Sequence, residues 1–190
     1  MGLAHRWGPA DRITLVRAGL TCVVAALATH PAGDRTAVAL LTAVATVALV
    51  LDGVDGWVAR RTGTASTFGA RFDMEVDALL VLVLSLHVAR ELGSWVLLIG
   101  SARYLLLAAT WVWPWLARDL PPRYWAKVVA VVQGVVLVAA GSGLLPTGVA
   151  TVAVVVALVL LAESFGHQVV QLWRLHRDLD VALPHLVRHG

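Results

Sequence analysis

The sequence predicts an all-α membrane protein with six transmembrane helices, and three observations carry that prediction. The 190 residues are 59% hydrophobic and 14% charged, against roughly 45–50% apolar and 25% charged in soluble domains. The apolar excess is blocked, with long Val, Leu and Ala runs alternating with short polar breaks, and the mean hydropathy is +0.80. The basic residues gather at alternate breaks, as the positive-inside pattern requires.

Each element can be justified in order. Residues 1–14, "MGLAHRWGPADRIT", form an interfacial lead-in, with Trp7 and Arg12 suited to the headgroup layer. A hydrocarbon core about 30 Å thick takes about 20 apolar helical residues, and such runs lie near 15–30, 36–57, 74–90, 94–116, 126–142 and 147–172. "THPAGDRT" breaks the first two, "ELGS" makes a tight turn between the third and fourth, and "GSGLLPTG" separates the last two. In "ARDLPPRYW", Pro121 and Pro122 are expected to end the fourth helix. Residues 15–176 then make one membrane domain and 177–190 a polar, loosely held tail. The first run reads as a retained span, since no cleavable A-x-A pattern precedes it. A soluble helical core fits poorly, because six helices that are hydrophobic all round would need a far larger surface to hide in. Trp111, Trp113 and Trp115 near the inner end of the fourth run read as an aromatic belt rather than a base-stacking box.

The net charge is +3 and the pI about 9.7, a balance that can indicate nucleic acid. Placement argues otherwise. Arg6, Arg12 and Arg17 precede or enter the first span, Arg60, Arg61 and Arg71 lie between the second and third, Arg118, Arg123 and Lys127 between the fourth and fifth, and Arg174, Arg177 and Arg188 follow the sixth. The other side has Arg35 and Arg90, each beside an acid, Asp34 or Glu91. Both termini and the acid-rich loop are therefore expected in the cytoplasm, with no nucleic-acid partner. Cys22, the single cysteine, lies inside the first run and is read as a small apolar filler.

The chemistry lies in "LVLDGVDGWVARRTGTASTFGARFDMEVDALLVLVL", where Asp52, Asp55, Asp73 and Asp77 stand among apolar runs. Helical residues three and four apart share a face. Asp52, Asp55, Gly56 and Ala59 thus lie on one side of the inner end of the second span, and Asp73 and Asp77 one turn apart at the start of the third. A short loop brings the two ends together. Convergent carboxylates repel unless cations sit among them, and oxygen-only ligands favour hard ions such as Mg²⁺, Mn²⁺ or Ca²⁺. Mg²⁺ held by a few carboxylates commonly takes phosphate oxygens as further ligands, so a phosphate-bearing substrate is expected. Gly56, Ala59, Gly63 and Gly69 leave room for a bulky ligand, Arg60 offers a cation for a phosphate, and Thr62, Thr64, Ser66 and Thr67 add hydroxyls. Solvated helix caps and small-residue helix packing are the plainer readings; they explain one acidic pair better than a whole register of positions. A divalent-cation transporter would account for the acids but not for Arg60 or the small residues, and a catalytically inactive scaffold would not need an intact acid set.

The string Asp52-x2-Asp55-Gly56-x2-Ala59-Arg60-x8-Gly69-x3-Asp73-x3-Asp77 resembles the signature of the CDP-alcohol phosphatidyltransferases, with all eight positions present at the family's spacing. "DRITLVRAGL" is similar to the family's lead-in, as are the six-span layout and the Lys127…Gln133 pattern; Ala126 stands where many relatives have Gly. The resemblance implies an integral membrane enzyme of phospholipid synthesis that joins a CDP-linked lipid, such as CDP-diacylglycerol, to an alcohol acceptor and releases CMP. It implies two divalent ions, Mg²⁺ or Mn²⁺, with Asp52, Asp55 and Asp73 as metal ligands and Asp77 both on the second metal and acting as general base. Asp52, Gly56, Ala59, Arg60 and Gly69 would hold CDP. It also suggests a homodimer.

The residues are consistent with direct in-line attack on the lipid-bearing phosphorus, since no Ser–His or Cys–His pair is placed for a covalent route. The acceptor is less legible. Arg71, Arg103, Arg118, Arg123, Lys127 and Arg174 are candidates for its pocket. Arg103 stands out because "IGSARYLLL" sets it within an apolar run, although snorkelling would place it there too. If Arg103 and Lys127 face the site, the acceptor is an anionic polyol phosphate; phosphatidylglycerol, giving cardiolipin, is the alternative. His87 and His167 read as hydrogen-bonded helix residues rather than ligands, and Glu163 and Gln168 near His167 as a polar seam.

Overall fold

A computed structural model describes residues 9–31, 33–62, 67–113, 115 and 124–186, with side chains left out at 9–12, 55–62, 67–68, 70, 124, 175–176 and 178–186. The fold is all-α. Helices α1 (Pro9–Ala28), α2 (Arg35–Thr62), α3 (Thr67–Leu92), α4 (Leu97–Val112), α5 (Tyr124–Gly141) and α6 (Thr147–Leu186) follow in order, with a 3-10 turn at Ser94–Val96 leading into α4. Three segments, Arg35–Val54, Ser94–Val112 and Thr147–Arg174, are long and apolar enough to cross a membrane, and Ile13–Ala28 and Trp125–Gly141 are shorter apolar helices.

Residue contacts fix the directions. Arg17 of α1 reaches Ala48 of α2 and Asp77 of α3, while Arg90 at the end of α3 donates to the Ala28 carbonyl at the end of α1. Helix α1 is therefore parallel to α3 and antiparallel to α2. Gly100 of α4 lies on Ser85 of α3, and Arg103 pairs with Glu75, so α4 runs back along α3. Gly141 at the end of α5 meets His87 near the end of α3. Gln133 and Trp125 of α5 bond to Ala157 and Glu163 of α6, so α6 returns antiparallel. Helix α3 is the hub, packed against α1, α4 and α5.

Thr14, Arg17, Thr21, Val24 and Ala28 form one buried stripe on α1; Ala37, Leu41, Ala45 and Ala48 form one on α2, and Val76, Leu80, Leu84 and Val88 one on α3. These spacings of three and four residues put each set on a single helix face. The opposite faces are also apolar: Val16, Val23, Leu40, Val47, Val50, Val152, Val156 and Val159 are exposed. An apolar exterior over an apolar core is expected where lipid is the solvent. Several hydroxyls inside the helices satisfy themselves on the preceding turn, as Thr21 does on the Arg17 carbonyl at 2.9 Å and Thr42 on Val38 at 2.9 Å, whereas the buried Ser85 Oγ has no hydrogen-bond partner among the described residues.

The turns at the end of the bundle away from the acidic motif follow their residues. Asp34 caps α2 by accepting the Thr36 and Ala37 N–H groups at 3.0 and 3.1 Å. Gly93 takes φ 105° in the "ELGS" turn, a conformation that disfavours a side chain.

Several boundaries differ from expectation. Helix α4 ends at Val112, with Trp113 at φ −122° and ψ 87°. Trp113 precedes Pro114, and a residue before proline is pushed out of the helical region; Pro121 and Pro122 lie outside the described residues. Helices α2 and α3 reach into the acidic motif, to Thr62 and from Thr67, because helical backbone continues beyond the apolar stretch that sets the span. Helix α1 likewise begins at Pro9, within the expected lead-in. Helix α6 is 40 residues long, or ~60 Å at about 1.5 Å per residue, roughly twice the hydrocarbon thickness. The expected loose tail from 177 is helical to Leu186. Arg177 stacks over Trp173 one turn back, 5.5 Å from the ring centroid, a pairing that supports helix at that point. Cys22 is exposed on the bundle's outer face rather than filling its interior.

Candidate functional site

Among the described side chains, the motif acids Asp52, Asp73 and Asp77 come together. Ligand atoms of Asp52 on α2 and of Asp73 and Asp77 on α3 lie within 4.8 Å of one another. The geometry follows from spacing: Asp52 stands one turn beyond the buried Ala48, and Asp73 and Asp77 stack on one face of α3, one turn before the buried Leu80. Helix packing in the core therefore aims all three at the same place.

What lies beneath them is Arg17, which the sequence reading counted only among the inner-side basic residues. Its side chain is 0% exposed. Its Nη1 lies 3.0 Å from Asp52 Oδ1 and also donates to Asp73 Oδ1, while Nη2 donates to Asp77 Oδ1. Nε donates to the Ala48 carbonyl at 3.2 Å. The planar guanidinium fork suits this arrangement, in which several acceptors converge on one cation. A signal was present in the sequence: Thr14, Arg17 and Thr21 share a spacing of three and four residues inside an apolar run, which places the arginine on the inward face of α1.

The acids are not buried with it. The side chains of Asp52, Asp73 and Asp77 are 28, 32 and 40% exposed. The site is thus a cup, with a guanidinium floor and an acidic rim open on the far side. One arginine offsets one of the three negative charges of Asp52, Asp73 and Asp77. The two left over match a divalent cation, and an all-oxygen donor set suits a hard one.

The remaining expected site residues are placed as follows. Asp55, Gly56, Ala59 and Arg60 occupy the last turns of α2, where the backbone is helical and the spacing that puts the motif on one face is kept; their side chains are not described. Gly69 lies in the first turn of α3, and Arg71 is exposed two residues on. Gly63, Thr64 and Ser66 lie outside the described residues. Arg103 on α4 pairs with Glu75, which stands between Asp73 and Asp77 in sequence. Lys127 is exposed in the first turn of α5. Arg118 and Arg123 are outside the described residues, and Arg174 is exposed on α6.

The two histidines lie apart from the acids. His87 Nε2 is 3.2 Å from the Gly141 carbonyl, toward the end of α3 away from the acids. His167 Nε2 is 3.5 Å from Glu163 Oε1 one turn away, and Trp125 Nε1 donates to Glu163 Oε2 at 3.0 Å. The polar seam expected around Glu163 thus joins α5 to α6. Trp111 is exposed at the end of α4, as a belt residue should be.

Set beside known families, the chain matches the CDP-alcohol phosphatidyltransferase model over residues 7–175. The chain belongs to the CDP-alcohol phosphatidyltransferase family. No curated protein matches it. The family match spans all the site elements, from the Arg17 helix to α6. It makes this protein a phosphatidyltransferase of phospholipid synthesis, acting on a CDP-alcohol and an alcohol acceptor in the membrane. The Asp52, Asp73 and Asp77 cluster is typical of the family's divalent-cation site.

Proposed function

We propose that this phosphatidyltransferase uses CDP-diacylglycerol as donor and a polyol phosphate as acceptor. The observation that carries the reading is the cup itself: acids from both halves of the motif converge on one opening at the end of the apolar bundle. A lipid tail can stay among apolar helices there while its diphosphate meets the acids.

Asp52, Asp55, Asp73 and Asp77 would hold two divalent ions, Mg²⁺ or Mn²⁺. Such ions, when bound, neutralise the diphosphate and the departing CMP. Gly56, Ala59, Arg60 and Gly69, with Asp52, receive the cytidine and its phosphates; the small residues admit the nucleotide close to the backbone, and Arg60 fixes a phosphate oxygen. Asp77, the most open of the three clustered acids, takes the proton of the acceptor hydroxyl. That oxygen attacks the lipid-bearing phosphorus in line. The bond from this phosphorus to the bridging oxygen of CMP breaks, and CMP leaves with the electron pair. No covalent enzyme intermediate is formed.

Lys127 and Arg71 are the cations offered to an anionic acceptor. Arg103 contributes only if it leaves Glu75, which engages it. The basic breaks support a cytoplasmic placement of the cup and both termini.

The test is CMP release by the purified full chain in detergent with Mg²⁺ or Mn²⁺ and CDP-diacylglycerol, supplying acceptors singly. Release with inositol phosphate or glycerol 3-phosphate is expected. Release with phosphatidylglycerol alone would move the protein to cardiolipin-type synthesis.

A further inference from the structure

The buried arginine has no part in the chemistry described so far, yet it touches every acid of the described cluster. Three features set it apart from an ordinary ion pair. It is fully buried, whereas its partners are open. It engages one carboxylate oxygen of each acid. And Nε is tied to the Ala48 carbonyl within α2, so the guanidinium is held by the helix that carries Asp52.

We propose that Arg17 is a positioning residue of the phosphatidyltransferase site: a resident counter-cation that gathers Asp52, Asp73 and Asp77 from beneath and limits how tightly divalent ions bind above them. The inference rests on the metal-site reading of the acids given under Proposed function.

The physical argument is a balance of charge and shape. Without a cation, three neighbouring carboxylates repel and rotate apart, and their desolvation is uncompensated. Arg17 removes that penalty in the ion-free protein, so the rim keeps its shape before an ion arrives. A fixed positive charge a few ångströms away also opposes an incoming divalent ion. Arg17 therefore trades affinity for order. Looser binding suits a site that must release its product, because the departing CMP carries phosphate oxygens that such ions would hold. The side chain is buried and its Nε is tied to the Ala48 carbonyl, which favours its staying in place when the site fills.

A residue that only ties helices together would give a different pattern. Its loss would weaken stability, ion binding and turnover alike. Removing a resident counter-cation should lower turnover while raising ion affinity.

The experiment compares the full chain in detergent as wild type, Arg17→Gln and Arg17→Lys. Mn²⁺ affinity is read by electron paramagnetic resonance of the free ion, thermal midpoints are taken in EDTA and in Mn²⁺, and CMP release is measured alongside. Arg17→Gln should bind Mn²⁺ roughly tenfold tighter, the scale expected for one charge a few ångströms away under partial screening. It should lose more of its midpoint in EDTA than in Mn²⁺, and turn over more slowly even at saturating Mn²⁺. Arg17→Lys keeps the charge but not the fork, so its Mn²⁺ affinity should stay near wild type while turnover falls. If Arg17→Gln folds only with Mn²⁺ present, that rescue supports the coupling; if it folds under neither condition, an unchanged Mn²⁺ affinity in Arg17→Lys upholds the role and a weakened one overturns it. Equal or weaker Mn²⁺ binding by Arg17→Gln, in a wild type that binds the ion, overturns the role of Arg17 alone. A wild type that binds no Mn²⁺ overturns the metal-site reading and this inference with it.

Discussion

The two ends of the bundle, an outer one away from the acids and an inner one that bears them, are held together by different physics. At the outer end, small residues let helices touch. A Cβ on Gly100 would lie 2.8 Å from the Leu82 Cα and 2.9 Å from the Ser85 Cβ, and one on Gly141 would lie 2.9 Å from the His87 ring. Around them Val24, Leu41, Leu84, Val88, Val96 and Leu137 are buried without charge. At the inner end, α1, α2 and α3 meet over a guanidinium and three carboxylates. In lipid there is little hydrophobic drive to bring helices together, so close packing and polar contacts carry association. The outer end relies mostly on the first, with Arg90 adding a polar tie from α3 to the Ala28 carbonyl of α1, and the inner end on the second. Binding and chemistry need open, charged groups, and the packed end can bear the mechanical load while the cup stays open.

The largest expected effect isolates the inner end's chemistry from its structure. Asp77→Asn keeps the shape of the rim but removes the proposed proton acceptor, and CMP release should fall by roughly 10²–10⁴-fold, the usual contribution of a general base. Retained release with this variant would move the base elsewhere in the motif. Chelation sharpens the same point without a substitution. EDTA should abolish turnover and added Mg²⁺ or Mn²⁺ restore it, while Arg17 holds the acids together in between. A chelated enzyme that still turns over would remove divalent ions from the reaction.

The opposite end predicts the opposite signature. Gly100→Leu drives a side chain into the α3 backbone, where nothing flexible can yield, and should cost about 1–3 kcal/mol as overpacking. The readout is a lowered thermal midpoint, with CMP release per folded molecule close to wild type. A variant as stable as wild type would mean that α3 and α4 separate easily, and that the outer end is not the load-bearing one.

How much of this was legible beforehand divides along the same line. Runs of Val, Leu and Ala disclose six helices, because period and length survive in one dimension. The acid motif discloses its own convergence, since Asp52, Asp73 and Asp77 each follow a spacing of three or four residues and a short loop joins their helices. Arg17 did not announce its role. It lies 35 residues from Asp52 and 60 from Asp77, and in sequence it looks like one more inner-side cation. Its spacing from Thr14 and Thr21 marks an inward face, but only the placement of α1 beside both α2 and α3 brings it onto the acids. The end of α4 was misread for a local reason: Pro121 and Pro122 drew the boundary past Pro114, whose effect on Trp113 is stronger because it comes first along the chain.

The smallest effect tests whether every charge near the cup belongs to it. Glu75 stands between two site acids in sequence, yet pairs with Arg103 on a face where the two side chains are 51 and 32% exposed. A pair this open is screened, and such pairs contribute about 0–1 kcal/mol. Glu75→Gln should therefore leave the thermal midpoint within a few degrees and Mn²⁺ affinity unchanged, in contrast to any change at Arg17. Its one visible consequence should be at the acceptor. Freed from Glu75, Arg103 adds a cation on the α4 side, so the KM for an anionic polyol phosphate should fall or stay level while kcat holds. A rise in that KM would instead show that Glu75 orients Arg103 toward the acceptor, and would extend the cup's charge network from α3 onto α4.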